Sequence, residues 1–464
     1  MSYDSGVTWV NIGETQKGDL YEYDSAECGA VTQYRWVDVT GAYTCEGTTK
    51  YQKTKKQYST DGTTWQDVSP AEYGKGQVLE YMSVDCGYDP TLADEYMGFI
   101  PRTAGNFKFI SHIHRSQSGN EVVNTVYYSL DGGINWTLLP DDTYTPTVQA
   151  GQKILWKGNF MSNFRYGIAD GTLNTFRSNC EFDVEGNVMS LVYSDSFQGK
   201  TSLEGTYAVL NSLFGGTGGL RSAENLILPA TTLGELCYAG MFGGCTGMTA
   251  APSLPATTLA PSCYENMFFN CTSLTTAPAL PATNLSGAKD CYNYMFNGCS
   301  SLIAAPELPA TTLSIWCYHN MFSDCTSLTT APTLPATTLA ERCYGYMFSG
   351  CTSLTTVPSN MLPATNLSGA VNCYMGMFED CTSLTTAPEL PATSLEYYCY
   401  QYMFRRCTSL NYIKCMATRI KHSSCTEDWV RRVASSGTFV KNSLMSSWTS
   451  GPNGIPNNWT VQNA

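Results

Sequence analysis

The chain has 464 residues, 43% hydrophobic and 12% aromatic, enough for two to four domains with cores of their own. Only 14% of residues are charged, so Thr, Ser, Asn, Gly and Tyr must cover much of the surface. A net charge of −13 argues against a nucleic-acid binder, which needs basic patches to neutralise phosphate. No apolar run reaches the roughly 18 residues that a membrane-spanning helix requires.

Residues 1–90 read as a β-rich repeat module. Lys17-Gly18, Glu22, Ser25 and Cys28-Gly29 are echoed by Lys75-Gly76, Glu80, Ser83 and Cys86-Gly87. Upstream of each stands a Ser-Asp-Gly-Trp set: Ser2, Asp4, Gly6 and Trp9, then Ser59, Asp61, Gly62 and Trp65. A third set runs from Ser129 to Trp136. These sets resemble Asp-boxes, hairpin turns in which Asp and Ser bond turn amides, Gly takes positive φ and Trp covers the hairpin. Asp-boxes occur in sialidases as structural elements, but the sialidase arginine cluster has no counterpart here, so hydrolysis is not expected. One full unit would run from Ala30 to Gly87, which makes residues 1–29 the back half of an earlier unit. The expectation is a chain that begins inside a domain. Its missing strands come from a partner chain or from a longer parent chain. No secretory signal follows Met1. Lys50, Lys53, Lys55 and Lys56 fit a solvated strand or a protected sheet edge.

Residues 91–200 alternate apolar and polar side chains, as in Phe107-Lys108-Phe109-Ile110 and Val188-Met189-Ser190-Leu191-Val192, with Glu185-Gly186-Asn187 as a turn. This predicts an antiparallel β-sandwich domain. His112 and His114 share a strand face, which a metal pair or a solvated face would explain; no metal and no cofactor are expected.

Residues 201–464 carry a short internal repeat. Cys-Tyr-x-x-Met-Phe-x-x-Cys appears seven times, with leading cysteines Cys237, Cys263, Cys291, Cys317, Cys343, Cys373 and Cys399, and trailing cysteines Cys245, Cys271, Cys299, Cys325, Cys351, Cys381 and Cys407. The copies are joined by segments close to Thr-Ser-Leu-Thr-Thr-Ala-Pro-x-Leu-Pro-Ala-Thr-Thr-Leu. So short a unit cannot bury its own apolar face and must lean on its neighbours, as in a solenoid. Leu259, Cys263, Met267 and Cys271 recur every four residues, which predicts a short helix or helical turn. Leu274-Thr275-Thr276-Ala277-Pro278 predicts a short strand ended by proline. Atypical units cap the ends, an N-cap over 201–228 and a C-cap over 411–464. Val209 and Thr217 take the two cysteine places upstream. Downstream, Cys425, Trp429 and Val433 take the leading-cysteine, methionine and trailing-cysteine places.

Phe268-Phe269-Asn270-Cys271-Thr272-Ser273-Leu274 and its six siblings resemble the Phe-x-x-Cys-x-x-Leu core of BspA-like leucine-rich repeats. The sequence departs from that family in its Cys-Tyr pair and its longer period. The resemblance implies a multidomain protein in which all-β, sandwich-like modules precede a right-handed leucine-rich-repeat solenoid with a short strand and a short helix per coil. It also implies surface adhesins of anaerobic gut bacteria or proteins of their bacteriophages.

The fourteen repeat cysteines could be structural core, disulfides or metal ligands. Zinc sites use closer spacings. If the block is helical, eight residues rise about 12 Å, too far for a bridge within one repeat. Bridges between coils stay open, and buried free thiols acting as small apolar fillers is the simplest reading. They also suit synthesis in a reducing cytosol.

The repeats vary at the two places before the leading cysteine, the two after its tyrosine and the two after phenylalanine. There stand Phe269, Tyr294, Trp316, His319, Tyr346, Tyr397, Tyr402, Arg405 and Arg406. A constant core with a varied outer stripe makes these the candidate ligand-binding residues, for a host-cell-surface protein or glycan. Drift on an unused solvated face is the alternative. The four histidines are scattered, and no phosphate-cradling loop or nucleophile elbow occurs, so no catalytic residue and no enzyme activity is expected. The reading is a non-enzymatic, oligomeric virion fibre or decoration protein on the virion surface, made in the host cytoplasm and bound to the virion through residues 1–90. A secreted or cell-surface bacterial adhesin and a purely structural stalk are the alternatives.

Overall fold

The computed structural model describes residues 22–24, 32–46, 49–59, 64–68, 73–80, 94–111, 113–115, 121–160, 174–446 and 448–464. Among the described residues strands and turns dominate, and helix is confined to isolated single turns such as α1 (Ser190–Tyr193). The chain divides into two units, Met1–Asp89 and Pro90–Ala464.

The first unit is one antiparallel sheet of β1 (Glu22–Asp24), β2 (Thr32–Glu46), β3 (Thr49–Ser59), β4 (Gln66–Asp67) and β5 (Tyr73–Glu80). β2 and β3 form a long hairpin, with a bulge between Asp38 and Tyr43. The lysine-bearing strand is not a sheet edge. β3 pairs with β2 on one side and with β4 and β5 on the other. Alternating polar side chains allow this, because one face of an antiparallel sheet can stay solvated. β1 pairs with β2 of the same chain. The other residues of the expected half-unit, the first Asp-box, and Asp61 and Gly62 of the second lie outside the described residues.

In the second unit the strands are β6 (Met97–Pro101), β7 (Phe107–Ile110), β8 (Ile113–Arg115), β9 (Glu121–Val123), β10 (Val126–Ser129), β11 (Thr137–Leu139), β12 (Ile154–Gly158), β13 (Thr175–Ser178), β14 (Phe182–Asn187) and β15 (Leu220–Ile227). Six of them form a sheet in the order β11-β10-β12-β6-β14-β15, antiparallel until the parallel β14/β15 pair. The β7/β13 pair packs on it through an aromatic core: Phe99 lies 5.2 Å from Phe107 and 4.9 Å from Phe176, ring centre to ring centre. The third Asp-box-like turn closes the β10/β11 hairpin as its side chains require. The Ser129 hydroxyl accepts from the Gly133 amide, Asp131 accepts from the Asn135 amide, and Gly132 and Gly133 take positive φ. The run expected as a strand after Glu185-Gly186-Asn187 is instead α1. The Ser190 hydroxyl donates to the Trp156 carbonyl and accepts from the Met97 amide, which turns the chain back onto the sheet.

Residue 200 is not a boundary between separate cores. β15 extends the six-stranded sheet, and one hydrophobic core runs from Met97 to Trp459. Equivalent positions of successive repeats join by single parallel bridges, most of them in two rows. One includes Thr276, Ala304, Thr330 and Thr356; the other includes Ser202, Thr232 and Thr258. The predicted strand per repeat is reduced to these bridging residues.

The Cys-Tyr-x-x-Met-Phe-x-x-Cys blocks are not helical. In the Cys263 block the amides of Cys263, Glu265, Met267, Phe269 and Cys271 bond three residues back. Those of Ser262, Tyr264, Asn266, Phe268 and Asn270 bond to Lys289, Cys291, Asn293, Met295 and Asn297 of the next coil. Half of the amides thus close local turns and half join coils, so no amide in the block is orphaned. Ser262, Asn266 and Asn270 have positive φ, as the third position of a type II turn requires. Overlapping turns with positive φ at every fourth residue put two side chains in and two out. That reproduces the four-residue spacing that predicts a helix, by a different hydrogen-bond route.

The inward residues stack into columns. Phenylalanines from Phe214 to Phe404 lie 5.3–5.8 Å from their neighbours, within 11° of parallel. Tyrosines from Tyr238 to Tyr400 form a second column. All fourteen repeat cysteines are fully buried. At the C-terminal end follow β16 (Ser394–Leu395), which pairs in parallel with β18 (Arg419–Ile420), and the parallel sheet of β17 (Tyr412–Cys415), β19 (Thr438–Lys441) and β20 (Thr460–Asn463).

Candidate recognition surface

The outward pairs of each block form columns in which the coils differ. Three of the outward places carry positive φ: the residue before the leading cysteine, the third after it and the seventh after it. Several coils fill them with Gly, Asn or Asp, which tolerate that conformation. These include Gly240, Gly244, Asn266, Asn270, Asn320 and Asp324. Others hold Tyr294, Trp316, Arg342, Tyr346, Tyr398, Tyr402 and Arg406 there at φ of 52–65°. A bulky residue in this region costs on the order of 1–3 kcal/mol.

Eight of the nine predicted residues fall into three groups. The first is an aromatic belt across three successive coils. His319 lies edge-on between Tyr294 and Tyr346, with ring centres 6.0 Å away on each side, and packs 4.4 Å from Trp316. Arg342, which the sequence did not single out, stacks its guanidinium 4.5 Å from the Trp316 ring centre. His319 is only 8% exposed, against the expectation of an outward contact residue. Gly345 in the next coil is the reason: a Cβ there would lie 2.8 Å from His319 Cδ2, so the imidazole folds down into the space. Asn320 donates to Nδ1 at 2.6 Å, which fits a neutral ring. Burial, helped by the Arg342 charge, pulls the imidazole down to about 4. Burial first, and then the Glu379 carboxylate, push the Tyr346 phenol up to about 12.

The second group is an ion-pair cluster. Arg405 bonds Glu379 through Nε at 2.6 Å, and Arg406 bonds Asp380 through Nε at 2.6 Å and Glu379 through Nη2 at 3.0 Å. Tyr402 lies under the Arg405 guanidinium at 4.2 Å. Both arginines are therefore tied to acids of the preceding coil. Glu379 is 4% exposed, and burial raises its carboxyl although Arg405 and Arg406 oppose the rise. The third group is the exposed pair Tyr397 and Tyr398, with His422 at 5.0 Å from Tyr397. Among the described residues Phe269, half-buried, makes none of these ring contacts.

Glu379, Asp380, Arg342 and Tyr398 sit in columns already identified as variable, so column membership could have found them. His112 lies outside the described residues. Among the described residues no three His, Cys, Asp or Glu side chains gather as a metal site would need, and no helix is long and apolar enough to cross a membrane. No protein-family model matches the chain, and no curated protein or solved structure matches it.

Proposed function

We propose that this chain is a non-enzymatic recognition protein whose repeat stack presents its variable columns to another surface. The observation that carries the reading is the placing of Tyr294, Trp316, Tyr346, Tyr398 and Tyr402 at positive φ, where glycine or asparagine serves in sister coils without strain. Stability alone does not favour large aromatic rings at these positions, whereas contact with a protein or with sugar rings does. On the same reading the stack is a right-handed leucine-rich-repeat solenoid of the BspA-like kind, supported by the in-register bridges and ring columns, with chained turns in place of the family's short helix. The setting is a bacteriophage fibre or decoration protein, attached through residues 1–90, with a host-cell protein or glycan as ligand. Buried free thiols support folding in a reducing cytosol before release.

Trp316→Ala combined with Tyr346→Ala is expected to lower attachment to the cognate cell surface at least tenfold while thermal unfolding stays cooperative. Unchanged attachment would remove the aromatic belt as the contact site. Mass spectrometry that finds the chain in a bacterial outer-membrane fraction, and not in purified virions, would replace the virion setting with that of an adhesin.

A further inference from the structure

The trailing cysteine of each block does more than fill space. The thiols of Cys245, Cys271, Cys299, Cys325, Cys351 and Cys381 each donate to the phenylalanine carbonyl of the preceding coil at 3.1 Å, and that of Cys407 does so at 2.9 Å. Where the stack begins, Thr217 stands in the same place, and its hydroxyl donates to the Phe176 carbonyl at 2.7 Å. The position therefore calls for a small donor, and a sulfur joined to another sulfur has no hydrogen to donate. Every cysteine from Cys180 to Cys425 is free and buried. Neighbouring leading thiols, such as Cys263, Cys291 and Cys317, stand close enough to oppose one another's ionisation. Burial pushes Cys263 and Cys299 up to about 12, so the closed stack offers almost no thiolate.

We propose that the stack is a one-way redox gate: it closes only from the reduced chain, and once closed it shields its thiols from the oxidants that would have prevented closure. In the unfolded chain a cysteine thiolate attacks a small disulfide such as glutathione disulfide. One S–S bond breaks, a mixed disulfide forms and a glutathione thiolate leaves. A second cysteine thiolate can then displace the other glutathione and close an intrachain bridge. A glutathionyl group has no room in a fully buried column, and a bridge between the wrong coils pulls one out of register. The closed stack exposes these sulfurs only by opening. Such a chain must finish folding in a reducing compartment and can then work in an oxidising one, whatever its surface binds.

Two measurements on the full chain test this. The native protein is held in excess glutathione disulfide, quenched, unfolded and alkylated, and each cysteine peptide is read by mass spectrometry. The repeat cysteines are expected to react at least ~10³-fold more slowly than in denaturant, the factor that global opening sets. In parallel the chain is made by cell-free synthesis under reducing and under oxidising glutathione, and the protease-resistant product is measured. Only the reducing reaction is expected to yield it. Repeat cysteines that react in the native protein at the denatured rate, or equal protease-resistant yields from the two syntheses, would overturn the proposal.

Discussion

Between Cys263 and Cys351 the coils repeat one another almost bond for bond, whereas the two ends of the stack solve the same packing problem with different residues. In the middle, ring columns, thiol donors and turn amides pass unchanged from coil to coil, and among the described residues no ion pair there joins two coils. At the start, β13 does the work of a coil. Phe176 extends the phenylalanine column at 6.1 Å from Phe214, its amide donates to the Leu213 carbonyl, and Arg221 pairs with Glu181 at 2.7 Å. At the far end Trp429 covers both ring columns, 6.1 Å from Tyr400 and 6.2 Å from Phe404, and is itself stacked on Trp448. Ion pairs then tie coil to coil: Arg405 and Arg406 to Glu379 and Asp380, Lys414 to Glu389, and Lys421 to Glu396. A nearest-neighbour stack is held equally along its middle, so its ends must either borrow a template or finish with a residue large enough to close the last layer.

The sharpest way to break that comparison is to remove the closing residue. Trp429→Ala is expected to cost about 3–5 kcal/mol, with amide hydrogen exchange rising first in the coils of Cys399 and Cys373. If exchange rises evenly along the stack, the end has no special role. His319 comes next, because its burial belongs to the middle. Its folded value of about 4 lies below the ordinary 6.5, so the unfolded chain binds the extra proton between those values. The stability due to its neutral burial is full above pH 6.5 and is lost as pH falls towards 4, by up to about 3 kcal/mol. His319→Gln should flatten that part of a denaturant-midpoint-against-pH curve, and an unchanged curve would place the imidazole in water.

Gly345→Ala is expected to cost about 1–3 kcal/mol by pushing on the His319 ring, read as a lowered melting temperature. Both Gly345→Ala and His319→Gln together should recover part of that loss. The smallest effect separates donor from filler in the cysteine columns. Cys299→Ser keeps a donor for the Phe268 carbonyl, as Thr217 does for Phe176, while Cys299→Val does not. The valine variant should be less stable than the serine variant by about 1 kcal/mol. The reverse order would make the cysteines apolar fillers alone.

The four-residue spacing of Leu259, Cys263, Met267 and Cys271 told which side chains face inward but not by what backbone, since a helix and a chain of turns both return a residue to one face every fourth position. The Gly, Asn and Asp residues at the third and seventh places after the leading cysteine were the available signal for turns. The variable columns of the sequence include Trp316 and Tyr346, and both are half-buried. The tally of those columns could not see that His319 folds down over Gly345, because that depends on a missing Cβ 26 residues further along. Nor could it see that Arg405 and Arg406 are already paired, since their acids stand 26 and 27 residues earlier.

By itself the sequence determined the repeat, its phase and its buried set. Identical residues at fixed intervals can be buried together only by stacking, so periodicity alone decides the core. Tertiary structure decided everything that lies between coils: the turn route of the backbone, the acceptor of each thiol, the partner of each charge and the joining of residues 91–200 to the first repeat. Those features depend on distances across a gap of one whole repeat, and local sequence carries no record of which atoms meet there.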